Sequence, residues 1–322
     1  MSKAPTPKST AVVPVPAWRR GISAAALMHA AFPPIRYIVP DYIVEGLTIL
    51  AGAPKARKSW MVLDVALSVA AGGEVFGTVP CQQGDVLYLA LEDNQRRLQD
   101  RMRKMGITDA PERLTLCTEW PVGSEALAEI EAWAGSVERP TLVAVDVLAR
   151  VREPTNGEAN YESDYRSLVA LHDLALRLGI AIVAVHHNRK SEADDPFDLV
   201  SGTRGITGAA DTVLVIRREH NGASSKRATL YGRGRDIPEI ERALEFSDRD
   251  FRWNVLGDFR AVASTVEQQN VLDLLIRAKR PMKLCAIAGA VGKQPATVRN
   301  SLVKMIRTGR VTQPRSGWYE AA

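Results

Sequence analysis

The chain has 322 residues, of which 46% are hydrophobic and 25% charged, proportions that are ordinary for a soluble globular protein with one large domain and a small one. No apolar run is long enough to span a membrane, and the three cysteines are too scattered for a disulfide framework or a metal site. The net charge of +5 is compatible with a nucleic-acid partner but does not by itself indicate one.

The N-terminal residues look like a tail that precedes the folded part of the chain. Residues 1–16 are rich in Pro, Ser, Thr and Lys and lack the hydrophobic segment of a signal peptide. The cysteine usage is that of a reducing compartment. We therefore expect a cytoplasmic protein in which residues 1–30 form a disordered tail with one short helix at residues 22–30.

A phosphate-binding loop is the most informative motif. An apolar run at residues 47–51 is followed by a short loop and then by a helical pattern. A loop between a strand and a helix points its backbone N–H groups at the phosphates of a nucleotide. Lys58 is expected to reach the β- and γ-phosphates, and the Ser59 hydroxyl is expected to ligate Mg²⁺. The predicted nucleotide-binding residues are Gly52, Ala53, Pro54, Lys55, Ala56, Arg57, Lys58, Ser59 and Trp60.

Arg57 departs from the usual motif, which has a second glycine at this position. Because Arg57 has a Cβ atom, we expect the loop to avoid a positive φ at this residue. Its cation either adds charge to the phosphate cradle or points to solvent, and the sequence leaves both open.

Three further apolar runs each end in polar residues. These endings are Glu92-Asp93 after residues 86–91, Asp146 after residues 141–145, and His186-His187 after residues 180–185. Continuous apolar runs of this length suit parallel strands that are covered on both faces. Because ligands bind at the carboxyl edge of open α/β sheets, we expect these polar side chains to lie around the phosphate loop.

The order of the elements predicts an α/β fold with a mostly parallel sheet. Strand patterns alternate with helical patterns as far as residue 216, which is typical of βαβ units. The helical patterns cover residues 96–104, 124–134 and 165–178. Short strand patterns joined by polar turns then predict an antiparallel extension of the sheet; they cover residues 212–216, 227–231 and 243–246.

Hydrolysis of a nucleotide requires a metal ion, an oriented water molecule and compensation of the developing charge. Asp146 is expected to hold Mg²⁺ through water. Glu92 is expected to be the general base, because a carboxylate on the strand next to the phosphate-loop strand can reach the γ-phosphate; Asp93 is the alternative. His186 or His187 is expected to sense the γ-phosphate. ATP and Mg²⁺ are therefore the predicted cofactors.

Arg233 and Arg235 form a basic turn after a late strand. They are too far along the chain to be assigned to their own phosphate site. An arginine from a neighbouring subunit can neutralise charge in the transition state, which is one role for this turn. An exposed hairpin with ordinary surface arginines is the alternative.

Residues 265–322 have the pattern of a winged helix-turn-helix domain. After a predicted linker, the segments are three helical patterns at residues 266–278, 283–290 and 295–307 and a β-wing at residues 311–319. The linker is placed at residues 256–264. Basic residues outnumber acidic ones, and Arg299, Lys304 and Arg315 are expected to contact duplex DNA. Protein docking is the alternative for this domain.

Several segments together resemble the RepA-like branch of RecA-fold ATPases, which occurs in plasmid and phage replication modules. The resemblance covers residues 32–246 and rests on residues 46–60, 86–93, 186–190 and 208–214. It implies a RecA-like phosphate-loop NTPase domain, placed at residues 31–257, in a ring-shaped, usually hexameric, DNA-stimulated ATPase related to replicative helicases. It also implies the following roles: Glu92 is catalytic, His186 or His187 is the sensor, and Arg233 and Arg235 are finger arginines.

The same resemblance implies that loops near the centre of the ring touch single-stranded DNA. Residues 150–161 and 189–204 are the candidates. The basic ends of the second loop, Arg189, Lys190 and Arg204, are better placed for this than its acidic middle. A solvent-exposed loop without a DNA contact is the alternative for both.

Three functions are compatible with these motifs. The leading one is an ATP-driven motor on single-stranded DNA, acting as a helicase in replication of a plasmid, phage or other mobile element. The second is a DNA-binding regulator or loader in which ATP switches assembly without unwinding, and the third is a recombination mediator of the RecA type. The expected partners are DNA, further copies of the chain in a homohexamer and other replication proteins, with no membrane.

Overall fold

The computed structural model describes residues 21–152, 161–187, 195–200, 208–218 and 226–322 and divides the chain into two units. The first unit, Met1–Ile35, contains helix α1 (Ala24–His29), which agrees with the short helix predicted there. The hydroxyl of Ser23 caps α1 by accepting a hydrogen bond from the N–H of Ala26 at 3.1 Å. Most of the predicted tail lies outside the described residues.

The second unit, Arg36–Ala322, contains the sheet and the remaining described helices. Its strands are β1 (Tyr37–Val39), β2 (Ile43–Val44), β3 (Gly46–Gly52), β4 (Glu74–Val75), β5 (Val79–Pro80), β6 (Asp85–Ala90), β7 (Leu114–Cys117), β8 (Pro140–Asp146), β9 (Ala181–His187), β10 (Thr212–Arg218), β11 (Arg227–Gly234), β12 (Ile240–Phe246), β13 (Trp253–Asp258), β14 (Met282–Lys283), β15 (Val311–Arg315) and β16 (Trp318–Ala321). Its α-helices are α2 (Lys58–Ala71), α3 (Gln95–Lys104), α4 (Gly123–Ser136), α5 (Tyr161–Leu178), α6 (Phe259–Ala278), α7 (Leu284–Val291) and α8 (Pro295–Arg307).

A nine-stranded mixed sheet has the order β13-β12-β11-β10-β3-β9-β8-β6-β7. The strands from β10 to β7 in this order run parallel, whereas β11, β12 and β13 extend the sheet in antiparallel fashion beyond β10. Every residue of β3 and β6 is buried, as their continuous apolar sequences predict for strands covered on both faces. The predicted mostly parallel sheet with an antiparallel extension is therefore confirmed.

The two faces of the sheet carry separate hydrophobic cores. Neighbouring residues of a strand point to opposite faces, so Leu50 packs with the core that contains α2, whereas Ile49 packs with the core that contains α5. Helix α3 contributes Leu98 to the first core, and α4 contributes Ile130 to the second. The parallel strands are thus held rigidly between two helical layers, and their carboxyl ends meet at one edge.

The C-terminal elements enclose a third core. Helices α6, α7 and α8 pack with a small sheet of order β14-β16-β15. The apolar face of α8 points into this core: Val298, Leu302 and Met305 are buried there, and Ile306 is partly buried against it. Strands β15 and β16 are antiparallel, as the wing pattern predicts, and β14 is an additional strand. Among the described residues, no helix combines the length and apolar character that a membrane span requires.

The linker predicted at residues 256–264 is wrong. Strand β13 pairs with β12 as far as Asp258, and α6 begins at the next residue. The Asp258 carboxylate caps α6 by accepting hydrogen bonds from two backbone N–H groups of its first turn, at 3.0 and 3.1 Å. Arg260 Nε also lies 3.7 Å from Glu241 Oε2 on β12, so the first turn of α6 contacts the sheet directly.

Candidate functional site

The predicted phosphate loop connects β3 to α2 at the carboxyl edge of the parallel strands. Lys58 is the first residue of α2 and is only 4% exposed. Its ammonium donates hydrogen bonds to the carbonyl oxygens of Gly52, at 2.7 Å, and Ala53, at 3.1 Å. The amine is therefore held against the loop that the sequence predicts to bind phosphate.

Arg57 adopts the left-handed conformation in this loop, with φ 64° and ψ 30°. The prediction that the loop avoids a positive φ at this residue is therefore wrong, although the conformation costs a non-glycine residue about 1–2 kcal/mol. The guanidinium carbon lies 4.1 Å from the ring centroid of Phe246, and the Arg57 carbonyl oxygen accepts a hydrogen bond from Trp253 Nε1 at 3.4 Å. Burial, followed by the neighbouring Arg218, lowers the pKa of Arg57. The side chain thus packs on an aromatic ring. This placement differs from both expectations, which were the phosphate cradle and solvent.

His187 connects Lys58 with Glu92. Lys58 Nζ donates to His187 Nδ1 at 3.2 Å, and His187 Nε2 lies 3.9 Å from Glu92 Oε2. An ammonium group can only donate, so Nδ1 is the acceptor in this contact and Nε2 is the ring nitrogen that faces the carboxylate. Burial lowers the pKa of Lys58 to about 8, against the raising effect of Asp146 and Glu92.

The strand that leads to Glu92 has a different position in the sheet from the one the sequence predicts. Strand β6, which leads to Glu92, is not the neighbour of the phosphate-loop strand, because β9 and β8 lie between them. The residue that bridges the gap is His187, at the end of β9 and therefore beside β3. Glu92 is about half exposed, and its carboxylate has room to take part in chemistry at this edge.

Asp93 is held in ion pairs. Its side chain is 5% exposed, and its two oxygens lie 2.9 Å from Arg97 Nη1 and 2.5 Å from Arg101 Nη1. Asn94 caps α3 by accepting a hydrogen bond from the Arg97 N–H at 2.9 Å. Because both oxygens of Asp93 are paired with arginines, Glu92 is the carboxylate that faces the Lys58–His187 pair.

Asp146 and Ser59 form the second part of the site. Asp146 ends β8 and is 3% exposed; it accepts a hydrogen bond from the Tyr88 hydroxyl at 3.1 Å. Burial raises the pKa of Asp146, and the nearby hydroxyls of Ser59 and Tyr88 lower it. A hydroxyl beside a carboxylate supplies the hard oxygen ligands that Mg²⁺ prefers, so these residues fit the predicted ion.

No cluster of three or more acidic, histidine or cysteine side chains suited to a metal ion occurs within the described ranges. Mg²⁺ is commonly held by one or two protein ligands together with the phosphates of a nucleotide. The pair formed by Ser59 and Asp146 matches that mode.

His186 has a different environment from its neighbour. Burial lowers the pKa of His186 to about 4, and the neighbouring side chains of Arg152, His187 and Lys58 act in the same direction. The His186 ring is therefore neutral at pH 7. Of the two predicted sensors, His187 is the one that contacts both Lys58 and Glu92.

Arg233 and Arg235 lie at the opposite edge of the sheet from Lys58. Strand β11 runs antiparallel to β10, so its last residues lie beside the first residue of β10. Arg235 Nη1 donates to Asp211 Oδ1 at 3.0 Å, and Asp211 Oδ2 accepts a hydrogen bond from the Leu47 N–H, near the start of β3, at 2.9 Å. Strand β3 spans about 20 Å at the usual rise per residue. Neither arginine therefore reaches Lys58 of the same chain.

The two arginines border a cavity of about 490 Å³. Arg233 pairs with Glu239 at 2.7 Å, and its guanidinium carbon lies 4.3 Å from the ring centroid of Phe197. The side chains of Arg233 and Arg235 are 52% and 60% exposed. Both are therefore accessible to another molecule at this edge.

The predicted DNA-binding residues fall into two groups. Arg189, Lys190 and Arg204 lie outside the described residues. Arg299 and Lys304 are on the exposed face of α8, and Arg315, at the end of β15, has its guanidinium carbon 3.9 Å from the ring centroid of Trp318.

Some contacts at the site are not predictable from the sequence patterns. Tyr88 reads as one more apolar residue of a buried strand, Arg101 as part of a basic helix, and Trp253 as part of a segment without a strand pattern. Each of these residues contacts a partner elsewhere in the sequence, so no local motif contains both residues of the contact.

Comparison with solved structures shows where this fold occurs elsewhere. The chain is similar to the ATPase domain of G40P (11% identity, TM-score 0.55, covering 66% of this chain and 85% of that one). It is also similar to a DnaB-like replicative helicase, from a structure that describes its interactions with primase (12% identity, TM-score 0.54, covering 66% and 58%). A KaiC-like protein from Pyrococcus horikoshii OT3 is a third (11% identity, TM-score 0.51, covering 69% and 99%).

At these identities the similarities establish the fold and not the activity. They confirm the predicted RecA-like fold of the core, while the RepA-like branch stays a prediction. A family model described as AAA domain (AAA_25) matches residues 16–193, more than half of the chain and the part that contains Lys58, Glu92, Asp146 and His187. The chain therefore belongs to this AAA domain family, with a nucleotide-binding core of RecA-like fold.

Proposed function

We propose that the chain is an Mg²⁺-dependent ATPase and a DNA-binding motor, a ring-shaped helicase in the replication of a plasmid, phage or other mobile element. The observation that carries the proposal is the line of contacts from Lys58 through His187 to Glu92. It joins the cation that is proposed to bind phosphate, an imidazole and a carboxylate, each from a different element. A cation for the phosphates and a carboxylate for the attacking water are two of the groups that nucleotide hydrolysis requires at one site.

Lys58 and the N–H groups of the loop position the phosphates. Ser59 and Asp146 hold Mg²⁺, which neutralises charge on the phosphate oxygens when it is bound. Glu92 orients the attacking water and accepts its proton. The exposed position of Glu92, beside the more enclosed Lys58, suits a group that must meet a water molecule.

The hydrogen bonds that the Lys58 ammonium donates suit His187 to the sensor role. The three N–H bonds of the ammonium are directed to Gly52, Ala53 and His187, and the contact with His187 is the longest of the three, at 3.2 Å. A phosphate that binds Lys58 has to replace one of these acceptors. Replacement of His187 frees its ring to reorient, and Glu92 is the group that the ring faces.

The position of Arg233 and Arg235 supports assembly of several copies. Because neither arginine reaches its own nucleotide site, each is available to the site of a neighbouring copy, as in a ring of six. Arg235 then exchanges the carboxylate of Asp211 for a phosphate. Its 60% exposed side chain permits that exchange without rearrangement of the sheet.

DNA contacts complete the proposal. Residues 150–161 and 189–204, with Arg189, Lys190 and Arg204, are proposed to hold single-stranded DNA in the ring. The C-terminal elements are proposed to be a winged helix-turn-helix in which α8 enters the major groove of duplex DNA. The exposed Arg299 and Lys304 on α8 support this assignment.

One observation favours the second candidate, a regulator or loader in which ATP switches DNA binding without unwinding. Helix α6 starts directly after β13, so the C-terminal elements continue from the ATPase sheet without a linker. A rigid connection of this kind transmits a nucleotide-dependent change to a DNA-binding element.

ATP turnover, with and without single-stranded DNA, and strand displacement on a forked duplex test these candidates. We expect wild-type turnover that rises with DNA, no turnover in Lys58→Ala, and normal turnover in the control Lys104→Ala, an exposed lysine on α3. Turnover with displacement supports the motor, and turnover without it supports the regulator or loader. A wild-type protein without ATP turnover contradicts both.

A further inference from the structure

The hairpin formed by β12 and β13 holds the backbone of the phosphate loop at Arg57. Phe246 ends β12, Trp253 begins β13, and the two residues are direct cross-strand partners with ring centroids 5.2 Å apart. Phe246 lies beneath the Arg57 guanidinium, 4.1 Å away, and Trp253 donates to the Arg57 carbonyl oxygen at 3.4 Å. Both rings are buried. One residue of the loop is thus bound at its side chain and at its backbone by one pair of aromatic residues.

The same hairpin contacts α2 at two further positions on one face of the helix. The Trp60 ring stacks on Phe251, with centroids 4.9 Å apart and an interplanar angle of 27°. Asp64, which is 2% exposed, forms an ion pair with Arg252. The spacing of three and four residues places Arg57, Trp60 and Asp64 along one side of the helix. The hairpin is therefore fixed to the start of α2 and has little freedom to move away from Arg57.

We propose that Arg57 is a positioning residue for the phosphate loop, acting through Phe246 and Trp253. Its side chain, anchored on the Phe246 ring, keeps the backbone in the left-handed conformation, with φ 64°, that a glycine adopts without help. In this chain the hairpin thus substitutes for the conformational freedom of the missing glycine. The inference rests on the proposed function, because it assigns the loop to a nucleotide.

A direct phosphate contact by the guanidinium is the competing role for Arg57. Arg57 Nη1 is buried and has no hydrogen-bond partner among the described residues. The position of the guanidinium over the ring of Phe246 favours anchoring. The two roles predict different effects of Arg57→Gly, because glycine adopts the left-handed backbone conformation readily but supplies no charge.

The test measures the affinity of the full chain for the Mg²⁺ complex of a fluorescent ATP analogue. Arg57→Gly and Arg57→Ala both remove the cation and differ only in a Cβ atom. We expect Arg57→Ala to bind about tenfold more weakly than Arg57→Gly, because alanine has to adopt the positive φ without the anchor. If glycine binds as weakly as alanine, the guanidinium contacts phosphate and the positioning role is overturned.

A double-mutant cycle tests the role of Phe246. We expect Phe246→Leu to weaken binding about fivefold to tenfold when Arg57 is present, and less than about twofold in the Arg57→Gly background. Phe251→Leu is the control for loss of another aromatic ring from the same hairpin: Phe251 stacks on Trp60 and lies 6.1 Å from Phe246 between ring centroids, so its effect is expected to differ between the two backgrounds by much less than that of Phe246→Leu. Equal effects of Phe246→Leu in both backgrounds overturn the proposal.

Thermal unfolding without nucleotide separates this inference from the proposed function. The Tm changes caused by Arg57→Gly and Phe246→Leu are expected to be clearly non-additive, whereas those caused by Arg57→Gly and Phe251→Leu are expected to be much closer to additive. If the wild-type chain binds no nucleotide, the proposed function fails, and the unfolding cycle still decides whether Phe246 anchors Arg57. Additive changes for Arg57 and Phe246 overturn the anchor.

Discussion

The ammonium of Lys58 and the imidazole of His187 lie 3.2 Å apart, with Nζ as the donor and Nδ1 as the acceptor. The contact therefore joins the Lys58 ammonium directly to the side chain that ends β9. It also links the Lys58 ammonium, which is proposed to bind nucleotide, through one residue to the carboxylate of Glu92. A phosphate that displaces His187 from Lys58 is therefore expected to act first on the side chain that faces the proposed general base.

The affinity for nucleotide is expected to fall above pH 8. Burial lowers the pKa of Lys58 from 10.5 to about 8, so the amine of the free protein loses its proton as the pH rises through that value. Binding to phosphate then requires uptake of a proton, which weakens binding by up to about tenfold per pH unit. The Lys58→Arg variant keeps a positive charge at this position over the whole pH range, because a guanidinium is not deprotonated there. Dissociation constants at pH 7 to 9.5 check this, and equally flat profiles for both proteins contradict it.

Glu92→Gln and Asp93→Asn are expected to have different consequences. Glu92→Gln keeps nucleotide binding and slows hydrolysis about 10²- to 10⁴-fold, because it removes the group that accepts a proton from water. Asp93→Asn removes the charge between Arg97 and Arg101 and lowers the free energy of unfolding by about 1–3 kcal/mol. Single-turnover hydrolysis and urea unfolding measure the two effects. The opposite pattern would assign the base to Asp93.

The stability of the protein is expected to fall in acid because of His186. Burial lowers the pKa of His186 from 6.5 to about 4, so between these values the unfolded chain binds a proton that the folded chain does not. Stability is therefore lost as the pH falls through this window. We expect His186→Gln to reduce the loss between pH 7 and 4.5 by about 2 kcal/mol. Urea unfolding at the two pH values decides this; identical losses in both proteins disprove it.

The sequence predicts the part of the site that follows from sheet geometry. Lys58, Asp146 and His187 meet because each follows a parallel strand, and all such strands end at one edge of the sheet. The sequence patterns do not show the order of the strands across the sheet. They therefore place the strand that leads to Glu92 next to β3, whereas β6 lies three positions away from β3. The periodicity and apolar character of a segment identify it as a strand, whereas its contacts with other strands determine its position in the sheet.

The parts that the sequence does not predict depend on distant partners. The left-handed backbone of Arg57 is held by Phe246 and Trp253, some 190 residues away along the chain. The start of α6 depends on Asp258, a cap in a segment that reads as a linker because only one of the six residues of β13 is buried. Both errors arise where tertiary contacts override a local preference.

Mixing two inactive variants is expected to restore turnover. Arg235→Ala subunits keep Lys58, and Lys58→Ala subunits keep Arg235, so in random rings about one interface in four has both groups. Turnover of an equal mixture should therefore approach a quarter of the wild-type value. As the control, Lys58→Ala is mixed with the Lys58→Ala/Arg235→Ala double variant and stays inactive. Full turnover by a protein that sediments as a monomer contradicts the prediction.

Substitutions on α8 test duplex binding by the C-terminal elements. Arg299 and Lys304 are exposed on the helix that is proposed to enter the major groove. Replacing both with glutamine should reduce the slope of log affinity against log salt by about 2, because two fewer phosphate contacts release fewer counterions. Point substitutions are preferable to truncation at residue 266, which cuts through α6 and removes elements that pack on it.

The matched control is the double variant Arg277→Gln/Arg280→Gln, which removes two exposed arginines, one in the last turn of α6 and one two residues beyond its end. It changes the net charge by the same amount, so a general loss of electrostatic attraction affects both double variants equally. Titrations of duplex DNA at several salt concentrations, with the Tm of each variant as a check on folding, give the comparison. We expect the reduced slope only for the α8 variant. Unchanged affinity and slope in that variant would mean that α8 does not bind DNA, and protein docking would then be the role of these elements.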